Sequence, residues 1–171
     1  LVNIEDVDCW LHIRGRNRNN PILLFIHGGP GASNIGFYDA IQRPWENYFT
    51  VIQWDQRQAG KSYKFNKKLE KTISHEQYIK DAEKIILYLH DRFHQEKIFL
   101  MATSYGTYLS MHLVKRHPEW FYAYVAIGQV VNIIDSSRDE YNLLLEYAKS
   151  HNHEKLVTQL QAISPYPDPE N

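Results

Sequence analysis

Two short segments of this chain carry residue types whose order suits acyl transfer. His27-Gly28-Gly29-Pro30-Gly31 comes directly after the apolar run Ile22-Leu23-Leu24-Phe25-Ile26 and reads as a strand entering a turn able to hold an anion. Ala102-Thr103-Ser104-Tyr105-Gly106 follows a second strand-like run, Ile98-Phe99-Leu100-Met101, and precedes a helical stretch that ends near His117-Pro118. Strand, sharp turn and helix in that order make a nucleophile elbow. Average residue usage predicts a small-x-Ser-x-Gly string in about one chain of this length in ten, but His-Gly-Gly-Pro-Gly in only about one in ten thousand. The glycine turn therefore gives the serine motif its weight.

A serine hydroxyl is a weak nucleophile unless it is exposed, held in one rotamer and served by a base. An elbow meets the first two needs. It requires small residues two before and two after the serine, where strand and helix backbones approach, and Ala102 and Gly106 satisfy this. The helix begins at once, so the amide of Tyr105 and the positive end of the helix dipole face the place where negative charge would develop. Gly29, and second to it Gly28, is the expected other oxyanion donor. His27 and Gly28 border the space for a substrate; the imidazole of His27 is expected to fix the turn, with a base role as the competing reading. Plainer readings stand beside these: a tight turn without chemistry for the glycines, and a helix N-cap for Ser104. Arg57 with Asp55 reads either as an ion pair that orders its loop or as a substrate-facing charge.

The elements that must position these residues follow from patterning. Val7 to Ile13, Ile22 to Ile26, Phe49 to Trp54, Ile98 to Ala102 and Tyr122 to Ile127 read as strands. Gly36 to Glu46 reads as a short helix, and Tyr105 to His117 as a helix stopped by Pro118. A long amphipathic helix starts at the capping-box pair Ser74 and Gln77 and carries Tyr78, Ile79, Ala82, Ile85, Ile86, Leu89 and Phe93. Strands alternating with helices imply a largely parallel sheet with helices on both faces. After Val131 the pattern changes. Ser137 and Glu140 form another capping-box pattern ahead of Leu143, Leu144 and Leu145, and a second helix carries Leu156, Val157, Leu160 and Ile163. This divides the chain into an α/β core, residues 1–131, and the start of a helical cap, residues 132–171. The proline-rich tail Ser164 to Pro169 reads as extended.

Composition bounds the function. The chain has 171 residues, 43% hydrophobic and 23% charged, as expected of one globular domain. With 19 basic and 20 acidic side chains it has no field to attract nucleic acid or an anionic membrane. No apolar run reaches the roughly 18 residues of a membrane span. Cys9 is the only cysteine, no zinc-type spacing occurs, and no leader-like stretch opens the chain, so a cytoplasmic protein without a metal or other cofactor is expected.

The glycine turn, Trp54-Asp55-Gln56-Arg57-Gln58-Ala59-Gly60-Lys61-Ser62 and the Ser104 elbow, in this order, resemble α/β-hydrolases of the proline iminopeptidase type. The resemblance covers nearly the whole chain. It implies a serine hydrolase that releases an N-terminal residue, often proline, from a small peptide through an acyl-enzyme on Ser104, with no metal. Three positions depart from that pattern: Ala102 replaces the first elbow glycine, Gln58 stands where glycine is usual, and Tyr105 stands where tryptophan is common. An esterase or lipase on the same elbow, acting on an ester substrate, is the neighbouring reading, and a non-catalytic binding module or fragment is the reading from another class.

In such folds the acid and base follow the serine, on loops after later strands. Beyond Ile127 the pattern offers only cap-like helices. Asp135 or Asp139 with His151 or His153 has the right order for an internal triad, but the acids sit at a helix start and the histidines in a polar break. The expectation is a sheet incomplete on its C-terminal side, whose acid and base come from a remaining hydrolase segment in the same polypeptide or a second chain. An apolar edge at Tyr122 to Ile127 would then be left uncovered.

Overall fold

The unbroken apolar run Ile22–Ile26 forms β3, and it is buried at every position, as is β4, Thr50–Asp55. Strands buried on both sides belong at the centre of a sheet covered on both faces. The computed structural model describes residues 1–5, 7–66 and 73–167, and divides into two compact units, Leu1–Gln129 and Val130–Asn171.

The first unit holds one six-stranded sheet in the order β1-β2-β4-β3-β5-β6. The remaining strands are β1, Val2–Ile4; β2, Val7–Arg14; β5, Ile98–Thr103; and β6, Phe121–Ile127. Strands β3 to β6 run parallel, while β1 and β2 pair antiparallel at one edge. The sequence reading of a mostly parallel sheet holds. β1, three residues long, carries too little periodicity to be seen in the sequence. At the opposite edge, β6 buries only Phe121, while Tyr122, Val125 and Ile127 are exposed.

The order of strands creates the site. From β3 the chain passes through α1, Ile35–Gln42, to β4 on one side; from β5 it passes through α4, Tyr105–Arg116, to β6 on the other. Connections that leave neighbouring strands in opposite directions open a crevice at the strands' carboxyl ends. Register then fixes the height: Ile26 pairs with Ala102, so His27-Gly28 and Thr103-Ser104 leave the sheet level with each other.

The long helix α3, His75–Phe93, lies where its pattern predicts, and the Ser74 hydroxyl accepts from the Gln77 amide at 3.2 Å. Its buried residues Tyr78, Ile79, Ala82, Ile85, Ile86 and Leu89 recur at helical spacing. Two elements differ from expectation. The stretch Gly36 to Glu46 divides into α1 and a short 3-10 helix, Arg43–Asn47, because Pro44 has no amide to continue the ladder. The segment after Asp55, read as a loop, contains a helix, α2, Gly60–Phe65.

In the second unit, α5 spans Ile133–Ser150 and α6 spans Glu154–Ala162. The start of α5 corrects the sequence reading. Asn132, not Ser137, is the N-cap; its side chain accepts from the Asp135 amide at 3.1 Å, and Ser137 lies inside the helix. The Tyr141 hydroxyl donates to the Leu160 carbonyl at 3.1 Å and joins the two helices. Of the tail, Asp168 and Pro169 lie outside the described residues. Among the described residues no helix is long and apolar enough to cross a membrane.

Candidate active site

Ser104 sits between β5 and α4 with φ 51° and ψ −127°, a left-handed-side backbone that an L-residue adopts only under constraint. The constraints are visible. Its amide donates to the Ile127 carbonyl at 2.9 Å, and its carbonyl accepts from the Thr107 amide at 2.8 Å and the Thr107 hydroxyl at 2.6 Å. Gly106 lies so close to β3 that an added Cβ would stand 2.4 Å from the Ile26 carbonyl oxygen and 2.6 Å from that of His27. The requirement for a small residue there is thus backbone contact. The residue is exposed, and its hydroxyl makes no capping bond and no other hydrogen bond among the described residues. Ser104 thus holds the N-cap position of α4, but its side chain does no capping.

Gly28 faces this serine. A Cβ on Gly28 would stand 3.0 Å from the Ser104 Cβ and 3.5 Å from its Oγ, so the turn after β3 and the elbow after β5 share one space. Gly29 has φ 117°, which favours glycine, and is exposed, with its amide given to no partner among the described residues. As the first residue of α4, Tyr105 has an amide with no carbonyl one turn before it. Its side chain points elsewhere. The buried phenol oxygen lies 2.7 Å from Nδ1 of His75, in hydrogen-bond contact, and the ring packs beside Tyr78 and Tyr108; burial raises its pKa and keeps it protonated. Only the backbone of Tyr105 is left to serve the serine.

His27 is 2% exposed. Its Nε2 accepts from the Gln56 amide at 3.1 Å, and its Nδ1 lies 2.6 Å from the Gly28 carbonyl oxygen. Burial lowers its pKa, against the opposing pull of the Gly28 carbonyl and the charge of Asp55. With both ring nitrogens engaged, the imidazole meets the turn rather than bordering the open space with Gly28.

The loop after β4 lies alongside, and its ion pair differs from the expected one. Arg57 forms a two-pronged pair with Asp81 of α3, through Nε to Oδ2 and through Nη2 to Oδ1 at 2.5 Å, both side chains being buried. Asp55 instead accepts from the Ser33 hydroxyl and, at 2.8 Å, from the Lys61 amide. Sequence spacing favoured Asp55 because it is two residues away; the fold brings Asp81 across 24 positions. Asp81, Ser33 and Gln56 carried no sequence signal of this kind.

Of the internal acid and base candidates, Asp135 and His151 are engaged locally in the second unit. Asp135 meets Asn132 and, at 2.8 Å, Arg138; His151 Nδ1 lies 3.0 Å from the Tyr147 carbonyl oxygen. Among the described residues no group of three or more His, Cys, Asp or Glu side chains is placed to hold a metal ion.

A family model described as the alpha/beta hydrolase fold matches residues 21–161. The chain is an α/β-hydrolase. This hydrolase is 39% identical over 152 residues to the probable aminopeptidase YbaC of Bacillus subtilis (strain 168), across 87% of the chain and 46% of that protein. It is 33% identical over 104 residues to a probable proline iminopeptidase of Leptolyngbya boryana, across 60% of the chain and 30% of that protein. The chain thus spans less than half the length of these curated relatives. Among solved structures, a proline iminopeptidase-related protein of Thermus thermophilus superimposes with a TM-score of 0.65 at 19% identity, over 96% of this chain and 56% of that one. A 2-hydroxy-6-oxo-6-phenylhexa-2,4-dienoate hydrolase of Rhodococcus sp. strain RHA1 does so with a TM-score of 0.61 at 23% identity, over 81% of this chain and 48% of that one. At these identities the two structures speak for the fold.

Proposed function

We propose that this α/β-hydrolase is the nucleophile-bearing part of a serine aminopeptidase of the proline iminopeptidase type. The observation that carries the reading is the exposed hydroxyl of Ser104, without a partner among the described residues, on a positive-φ elbow facing the glycine turn. The names of its two curated relatives support the peptidase class.

In this reading Ser104 Oγ attacks the carbonyl of a small peptide's N-terminal residue, and its proton passes to a base. The amides of Gly29 and Tyr105, without other partners among the described residues, receive the oxyanion, and such donors are each worth about 3 to 4 kcal/mol in the transition state. The C–N bond then breaks, the leaving amine takes the proton, and water releases the residue from Ser104. The base and its orienting acid come from the remaining hydrolase segment, in the same polypeptide or a second chain. Residues 132–171 are, in this reading, the start of the cap segment. A single buried cysteine, Cys9, supports a cytoplasmic setting.

The complete polypeptide should hydrolyse a prolyl p-nitroanilide, and Ser104→Ala should abolish that turnover. Tyr105 departs from the tryptophan common in these peptidases, which weakens the case for proline, and an esterase using the same elbow is the second reading. Faster turnover of p-nitrophenyl acetate than of any aminoacyl anilide would overturn the peptidase assignment and leave the serine hydrolase.

A further inference from the structure

We propose that His27 is a positioning residue, whose imidazole grips the carbonyl of Gly28 and so turns the Gly29 amide to the open side of the turn. The inference rests on the acyl-transfer reading of Ser104 and concerns what holds its oxyanion donor in place.

The hydrogen-bond partners assign the proton, the Gln56 side-chain nitrogen at 3.5 Å from Nδ1 being given to the nearer His27 carbonyl. The backbone amide of Gln56 donates to His27 Nε2 at 3.1 Å, so Nε2 must offer a lone pair. A neutral ring then carries its one hydrogen on Nδ1, which faces the Gly28 carbonyl oxygen at 2.6 Å and donates to it. The charged ring is disfavoured twice: burial penalises it, and a hydrogen on Nε2 would oppose the Gln56 amide. Because Gln56 uses its main chain here, no substitution at position 56 other than proline removes that donor. The Gln56 side chain adds a second tie, donating to the His27 carbonyl at 2.8 Å.

The Gly28–Gly29 peptide is trans, whereas Gly29–Pro30 is cis. In a trans peptide the carbonyl and the amide hydrogen point in opposite directions. A carbonyl drawn into the buried imidazole therefore sends the amide of Gly29 outward, and Gly29 is exposed while Gly28 and His27 are buried. Two glycines in succession have little intrinsic preference among backbone states, so without such a grip this peptide is free to rotate. A donor that must reorganise during the reaction stabilises charge less than one fixed beforehand.

The test measures the second-order rate of Ser104 phosphonylation by a fluorophosphonate in the complete polypeptide, whose P=O oxygen takes the oxyanion's place. His27→Ala should slow labelling by about tenfold to a hundredfold, short of the 10² to 10³ typical of losing a donor outright. Asn places an amide N–H where Nδ1 stands, and Gln places one where Nε2 stands; His27→Asn should recover most of the rate and His27→Gln should not. Equal rates for the Asn and Gln variants, or a wild-type rate for the Ala variant, would overturn the proposal. If the Ala variant does not fold, the Asn and Gln pair still decides. An imidazole ¹⁵N spectrum of the wild type at neutral pH should show the Nδ1–H tautomer for His27, and an Nε2–H ring would refute the latch directly. Failure of the wild type to label on Ser104 would instead bring down the nucleophile assignment, and the latch with it.

Discussion

The two strand ends that meet in this molecule are built on opposite plans. After β3, both ring nitrogens of His27, its carbonyl and the carbonyl of Gly28 are all engaged, and the neighbouring loop is tied down through Asp55 and Arg57. After β5, the main chain of Ser104 is held on both sides while its hydroxyl has no partner among the described residues. Fixed dipoles on one strand and an unencumbered hydroxyl on the next are what the proposed acyl transfer would ask of a scaffold: the field is set in advance, and the proton is left free to move.

The contrast can be broken most severely on the tied side. Asp81→Ala leaves the Arg57 guanidinium buried without its counter-charge, and such a loss typically destabilises by about 3 to 5 kcal/mol. Urea unfolding should show a lower midpoint at unchanged slope; a shift worth less than about 1 kcal/mol would place the pair among surface-type bridges. Next in size, Gly106→Ala drives a Cβ into the Ile26 and His27 carbonyls and should cost about 1 to 3 kcal/mol or more, because it overpacks two backbones rather than a movable side chain. Unfolding of that variant at the wild-type midpoint would mean α4 can back away from β3.

A smaller effect sharpens the comparison through pH. The native pKa of His27 is lowered by burial from its ordinary 6.5, so between those two values the unfolded chain binds a proton that the folded chain does not. Its contribution to stability is complete above about pH 6.5 and is lost as pH falls toward the native value, at up to about 1.4 kcal/mol per pH unit. Denaturation at pH 7.5 and 5.5 should therefore show a steeper acid loss in the wild type than in His27→Asn. Parallel losses would mean that this ring does not set the acid sensitivity.

Much of this arrangement is legible in the amino-acid sequence, and for a local reason. The run Ile22–Ile26 followed by its glycines, and Ser104 flanked by Ala102 and Gly106, state their geometry within five or six residues. What escaped was non-local or too short. Asp81 lies 24 positions from Arg57, so only packing of α3 against the loop reveals that pair, and spacing pointed to Asp55 instead. Gln56 acts on His27 partly through its main chain, which side-chain type cannot announce. The start of α5 was displaced because Ser137 and Glu140 match a capping pattern, while Asn132 makes the bond. β1 offers three residues and no period, and α2 begins at a glycine in a polar loop.

The central claim is that the hydroxyl at the end of β5 is the reacting group. Treating the complete polypeptide with a fluorophosphonate and mapping the adduct by peptide mass spectrometry tests it directly. A single adduct is expected on Ser104, absent from a folded Ser104→Ala protein. An adduct on another residue, or equal labelling of the two proteins, would contradict it.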